Sequence, residues 1–220
     1  MPRPGAGTQA TPVEATGVAF EHLLGADPVL AALVKAHGPL DSEHRRRGRP
    51  TEAYGALLRS IVGQQLSTKA ARTIYGRLID LYGGHDPAPE QILATEAEVL
   101  RGVGLSRAKA AYLRSLAEHV IYGELELDRL PELDDDEVIA QLTAVKGLGP
   151  WTAHMFLIFH LGRPDVLPVG DLGVRRAVEL AYGLEGLPSG AELEQIAEPW
   201  RPYRSLASLY LWRSLDNEPG

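Results

Sequence analysis

Leu142-Thr143-Ala144-Val145-Lys146-Gly147-Leu148-Gly149-Pro150-Trp151-Thr152-Ala153 is the stretch from which the fold can be read. Two helix-compatible segments flank a Lys-Gly-Leu-Gly turn. Pro150 stands where the second helix would begin, a position at which proline's missing N–H has no helical partner to lose. The glycines suit left-handed or crowded backbone that a side chain would obstruct. A helix, a tight hairpin and a second helix are predicted. Such a turn directs free amides outward, and together with the positive end of the second helix they offer a place for a phosphate oxygen. A plain helix-to-helix connection with a glycine cap and nothing bound explains the glycines equally well.

Outward from this hairpin, apolar residues recur at helical spacing and no lasting strand-like alternation appears, which predicts an all-α protein. Upstream, Phe20, Leu23 and Leu24 mark a first helix, Asp27-Pro28 restarts it into Leu30, Leu33 and Val34, and Gly38-Pro39 stops it. Leu57, Leu58, Ile61 and Val62 share one face. The polar turn Gly63-Gln64-Gln65-Leu66-Ser67 follows, then a helix through Ile74, Leu78 and Leu81 to Gly83. Short helices at 89–93 and 96–100 precede a glycine turn at 102–104 and a long helix through Tyr112, Leu116 and Val120. Beyond the hairpin, helices are expected at 172–182, 191–197 and 203–215. Residues 1–17, rich in Pro, Gly, Ala and Thr and lacking the basic start and apolar centre of a secretory signal, read as a flexible arm. Residues 18–220 are expected to form two helical lobes with a cleft between them. One lobe takes about 55–165, and the other takes the N-terminal helix plus about 166–220.

Composition narrows the function. The 220 residues include no cysteine, which excludes disulfides, thiolate zinc, a cysteine nucleophile and a cysteine-ligated iron–sulfur cluster. No apolar run is long enough to span a bilayer. The formal net charge of −7 argues against coating nucleic acid by bulk electrostatics. Charge is uneven, however: acid gathers at Glu132 and Asp134 to Glu137, and base at Arg45, Arg46, Arg47 and Arg49, then at Lys69, Arg72, Arg107, Lys109, Arg175 and Arg176. A local basic face is compatible with this, as are solvated helix faces. Asp171 follows Pro168 and Gly170 and precedes an amphipathic helix, the place of an N-cap. Taken alone it is a capping residue. His154 and His160, six apart on one helix, do not make a metal pair and are kept as structural.

A resemblance sharpens these alternatives. Val145-Lys146-Gly147-Leu148-Gly149-Pro150-Trp151-Thr152 resembles the hairpin of the helix-hairpin-helix DNA glycosylases, and Trp151 places it nearest the 3-methyladenine DNA glycosylase II type in its compact form. Three more segments are similar in the same order. Gln64-Gln65-Leu66-Ser67 is similar to the loop that fills the gap left by a flipped base. The segment from Leu167 to Val174 is similar to the one carrying the catalytic aspartate, here Asp171. Trp200-Arg201-Pro202-Tyr203-Arg204 with Leu211-Trp212 is similar to the terminal helix.

The resemblance implies a fold, a reaction and a set of roles. Asp171 would stabilise positive charge on the sugar as the base leaves. Trp151 and Trp212 would line the base pocket, with Met155 and Leu172 where relatives can carry aromatic rings, hence a roomier pocket. Gln65 or Leu66 would be the wedge. Superfamily members that also cut the strand carry a lysine nucleophile where Trp151 stands, so a lyase step is not expected. The implied partner is damaged double-stranded DNA, bound by a monomer with no membrane association. No cofactor is implied, although carbonyls of Thr143, Val145 and Leu148 could hold a monovalent cation. The compartment would be cytoplasmic with the nucleoid in a bacterium and nuclear in a eukaryote. Two other readings remain: a non-catalytic helix-hairpin-helix DNA-binding protein, and a glycosylase for uracil or oxidised guanine.

Overall fold

The structure, a computed structural model, describes residues 12–40 and 52–215. Every regular element among the described residues is helical, as the spacing predicts. Residues 1–11 of the expected arm and the arginines at 45–49 lie outside the described residues. The chain divides into two compact units, Met1–Ser42 with Pro164–Gly220 and Glu43–Arg163, called here the terminal and the central unit.

The terminal unit opens with α1 (Pro12–Ala26), which begins inside the stretch expected to be a loose arm. Proline at its first residue explains the early start, since the ring presets a helical φ. Asp27 then restarts the chain as α2 (Pro28–His37): its Oδ1 accepts the Leu30 amide at 2.7 Å, and Gly38 closes the helix at φ +64°. The C-terminal part adds α10 (Leu172–Tyr182), α11 (Gly190–Ile196), a 3-10 turn at Glu198–Trp200 and α12 (Arg204–Leu215). Leu23, Leu30, Val34, Val174, Val178, Trp200, Tyr210 and Leu211 form one buried core. Each such large side chain contributes about 1.5–3 kcal/mol of transfer free energy, so this cluster rather than helix propensity holds the unit. Asp27 sits at its edge, where Oδ2 accepts the Tyr182 hydroxyl at 2.9 Å and the Trp200 indole N–H at 2.7 Å. Burial, and then the Asp27 carboxylate, push the Tyr182 phenol far above its ordinary value, so it remains a donor.

The central unit runs through α3 (Ala53–Gly63), α4 (Thr68–Leu81), α5 (Pro89–Ala94), α6 (Ala97–Gly102), α7 (Arg107–Ile121), α8 (Asp135–Ala144) and α9 (Pro150–Phe156). Helix α4 stops at Leu81, ahead of the expected Gly83, because Gly83 and Gly84 both take positive φ. A 3-10 turn at Leu127–Glu132 was not expected; it is too short to show a period, and it buries Leu130. The acidic run is not a solvated patch alone. Asp134 accepts the Glu137 amide while Glu137 accepts the Asp134 amide, a capping box that starts α8 with acids at its positive end. Helix α9 continues into a wider π turn at Leu157–Leu161 before Gly162 ends it.

The hairpin between α8 and α9 uses its two glycines differently. Gly147 has φ +94°, and a Cβ there would lie 2.2 Å from Cγ of Tyr112 on α7. Gly149 is extended (φ −102°, ψ 174°), and a Cβ there would meet open space. Only Gly147 is demanded by the fold. Gly147→Ala combines backbone strain with overlap on a ring, and should lower unfolding free energy in urea titration by about 2–4 kcal/mol. Gly149→Asp supplies a good N-cap and should leave the unfolding midpoint nearly unchanged.

Candidate active site

Asp171 caps α10 as the sequence pattern predicts. Its Oδ1 accepts the Val174 amide at 2.8 Å. The same oxygen accepts the indole N–H of Trp212, on α12, at 2.8 Å. The carboxylate is buried at 8% exposure, and Trp212 is half-buried. Gly173 makes room for this pair, since a Cβ there would stand 3.1 Å from both Asp171 Oδ1 and Trp212 Cδ1. The approach to Asp171 is fastened to the start of α12. Arg204 holds Asp165 through Nε at 2.7 Å and Nη2 at 3.0 Å, Arg201 adds Nη1 at 2.8 Å, and the Val166 amide donates to Ser205 Oγ at 2.9 Å. A bidentate, partly buried guanidinium of this kind fixes geometry as well as charge. These supports were not legible in the sequence beyond the Trp200–Arg204 similarity, because nothing local pairs position 165 with 204.

Two aspartates in the terminal unit share one pattern: each caps a helix and accepts an indole N–H. Asp27 uses both oxygens, Oδ1 for Leu30 and Oδ2 for Tyr182 and Trp200. At Asp171 the amide and indole bonds both fall on Oδ1.

The central unit holds a cavity of about 660 Å³. The structure brings together there several residues expected in the site: Gln64, Gln65 and Leu66 from the loop, and Trp151, Thr152 and Met155 from α9. Phe159 and His160 line it too, the latter stacked on Phe156 with ring centroids 4.6 Å apart. His160 was read as merely structural. The spacing of Trp151, Met155 and Phe159, four residues apart in turn, was the signal for a shared helix face. Trp151 is exposed, so it is not a core residue, whereas Trp200 is fully buried. Asp171, Leu172 and Trp212 belong to the terminal unit, where Leu172 is exposed.

Several expected roles narrow. Val145, Leu148 and Thr152 bury their side chains, at 1%, 4% and 3% exposure, so their side chains are core and only their backbone can contribute to a hairpin surface. These positions, three and four residues apart, turn inward and anchor the hairpin to the unit. Ser67 caps α4, accepting the Ala70 amide, and Gln64 donates Nε2–H to the Gly147 carbonyl at 2.7 Å. That leaves Gln65 and Leu66, both exposed, at the loop tip. Lys109, counted with the basic residues, donates to the Val62 carbonyl at 2.8 Å; burial lowers its pKa. Lys146 is exposed. No helix among the described residues is long and apolar enough to cross a membrane.

Residues 58–202 match the sequence model of the HhH-GPD superfamily of base excision DNA repair proteins. The chain belongs to this superfamily. DNA-3-methyladenine glycosylase 1 of Schizosaccharomyces pombe is 35% identical over 195 residues, 88% of this chain and 85% of that protein. A Bacillus subtilis relative is 32% identical over 169 residues, 74% of this chain and 59% of its own length. The solved structure of the S. pombe 3-methyladenine DNA glycosylase in complex with abasic DNA superposes with a TM-score of 0.81 at 34% identity, covering 90% of this chain and 97% of that one. Within the superfamily match lie the loop 63–67, the hairpin and Asp171, while Trp212 falls beyond its end.

The oxygen usage of Asp27 predicts its response to loss of charge. Asp27→Asn presents an amide N–H to one set of donors and should cost about 2 kcal/mol. Chemical denaturation of this variant beside the parent protein measures the cost.

Proposed function

We propose that this chain is a monofunctional DNA glycosylase that hydrolyses the N-glycosidic bond of alkylated bases, 3-methyladenine and 7-methylguanine among them, in double-stranded DNA. The observation that carries this reading is the buried Asp171 carboxylate, its orientation fixed through Oδ1 by the Val174 amide and the Trp212 indole. The names of the relatives support it. So does the abasic DNA held by the S. pombe enzyme, since abasic DNA is what remains once a base has been released.

As the bond between base and C1′ of the deoxyribose breaks, its electron pair departs with the base and positive charge grows on the sugar. A fixed carboxylate beside that sugar stabilises the transition state, and it can orient the water that adds to C1′ and releases a proton. An alkylated purine is already cationic, so it leaves as a neutral molecule without a general acid. Trp151 occupies the place of a lysine nucleophile, so no covalent intermediate forms and the strand is left whole. An extruded base needs aromatic surface. Trp151 and Met155 are the candidates for that surface in the central unit, Trp212 and the exposed Leu172 those in the terminal unit, and an indole face attracts a cationic purine by about 0.5–2 kcal/mol.

Gln65 and Leu66 would enter the base stack as the wedge. The first-turn amides of α9 and the exposed Lys146 would hold a phosphate, which positions the enzyme, a monomer, without reading sequence. Carbonyls of Thr143, Val145 and Leu148 would hold a monovalent cation. The Leu148 amide takes one lone pair of Val145 O, at 3.0 Å, and the second suits a cation, which would add positive charge at the hairpin. A non-catalytic DNA-binding scaffold needs the hairpin but has no use for Trp212 orienting Asp171.

Incubation of the protein with alkylated duplex DNA should release methylated purines and leave strands that break only after alkali. Asp171→Asn should lower release by at least about 10²-fold while keeping DNA affinity. Undiminished release by this variant would overturn the carboxylate's role, and strand breaks before alkali would overturn the monofunctional assignment.

A further inference from the structure

The loop 63–67 and the hairpin, 83 residues apart in sequence, are joined by a bond from Gln64 Nε2 to the Gly147 carbonyl, 2.7 Å long. Both ends of the bond are secured by helix α7. Lys109 Nζ donates to the carbonyl of Val62, in the last turn of α3, where carbonyls have no helical partner. Three residues along the same face of α7, Tyr112 fills the space beside Gly147 so closely that no Cβ fits. Lys109 thus fixes the entry to the loop, Tyr112 fixes the hairpin, and Gln64 closes the triangle.

The residue after Gln64 has unusual backbone. Gln65 takes φ +56°, the one positive φ of a non-glycine residue among those described. Such a conformation persists where its surroundings over-determine it. On one side of it stands the Gln64 bond, and on the other the Leu66 amide, which donates to the Gly63 carbonyl at 3.2 Å. The tip Gln65-Leu66 is therefore held out from the unit by its two neighbours.

We infer that Gln64 is a positioning residue that couples the gap-filling tip Gln65-Leu66 to the phosphate-holding hairpin, with Lys109 and Tyr112 of α7 as the fixed side of the brace. DNA seated on the hairpin then meets a tip already in place, and a tip that has entered the stack holds the hairpin in register. Gln64 itself neither enters the stack nor touches the reacting atoms. This rests on the glycosylase reading above.

The test is a double-mutant cycle of Gln64→Met, which keeps length but cannot donate, and Gly149→Asp at the hairpin. Binding is measured to duplexes with and without an abasic-site analogue flanked by 2-aminopurine. Gln64→Met should weaken abasic-duplex binding at least about fivefold, change undamaged-duplex binding less than about twofold, and abolish the 2-aminopurine fluorescence rise that reports unstacking. The doubly changed protein should lose at least about threefold less than the product of the single losses. Gln64→Glu, whose carboxylate repels the Gly147 carbonyl, should behave as Gln64→Met. Losses that multiply, or equal losses on both duplexes, would overturn the coupling. A parent protein with no preference for the abasic duplex would overturn the glycosylase reading itself.

The brace also has a readout without DNA. Amide hydrogen exchange at Leu66 should accelerate at least about tenfold in Gln64→Met, with α7 unchanged. Unaltered exchange at Leu66 would overturn the brace whatever the DNA binding shows.

Discussion

Oδ1 of Asp171 accepts two bonds of equal length, one from a helix amide and one from an indole. The first is a local consequence of chain direction, because a helix start leaves amides without partners and the preceding side chain is the nearest acceptor. The second is tertiary and makes demands across the whole terminal unit. Trp212 reaches Asp171 only if α12 lies in one register along α10, and α12 is set in that register at its other end by Arg204 and Ser205 gripping residues 164–166. Gly173, by lacking a side chain, lets the indole approach without crowding. The buried core of Trp200, Tyr210 and Leu211 then fixes α12 against α2 and α10. On the function proposed above, a carboxylate held by these two bonds would resist reorienting as charge develops beside it, which is the condition for electrostatic stabilisation without reorganisation.

Asp27 repeats the pattern of a helix cap that accepts an indole, in the same unit, and its two oxygens accept three of the protein's own donors. Its role is to anchor α2 to Tyr182 and Trp200. In sequence the two residues are alike, each an Asp ahead of a helix. What separates them is which oxygen each tertiary donor meets, and that depends on residues more than a hundred positions away for Asp27 and about forty for Asp171.

The same boundary between local and tertiary causes explains how much of the molecule was legible. Helix starts at Asp27 and Asp171 were readable because a cap is a property of a few neighbouring residues, and Ser67, Ser106, Asp134 and Ser189 obey the same local rule. The hairpin was readable from Gly147 and Pro150, and Asp171 with Trp151 and Trp212 became candidates through resemblance. The 3-10 turn at Leu127–Glu132 was too short to carry a period, and Pro12 was hidden in a stretch whose composition suggested an arm. Gln64 was placed in the gap-filling loop by resemblance, with no role that set it apart from its neighbours. Its bond to Gly147 exists only because α7 brings loop and hairpin together, and no spacing in the loop encodes that.

Gly149 is where the local rules point beyond the chain. Glu52, Ala88 and Glu96 also begin helices without a side-chain cap bond, yet each keeps its Cβ. At Gly149 the backbone is extended, a conformation open to any residue, and the space a Cβ would fill is empty. Serine or aspartate would serve the helix slightly better there, by a few tenths of a kcal/mol on typical capping values. The fold thus sets little demand on glycine at this position. On the function proposed above, glycine would serve an approach from outside: the amides of Trp151 and Thr152 stand at the helix start, and an anionic oxygen could come close to them because no side chain intervenes. Gly147 keeps the hairpin in shape, and Gly149 keeps it open.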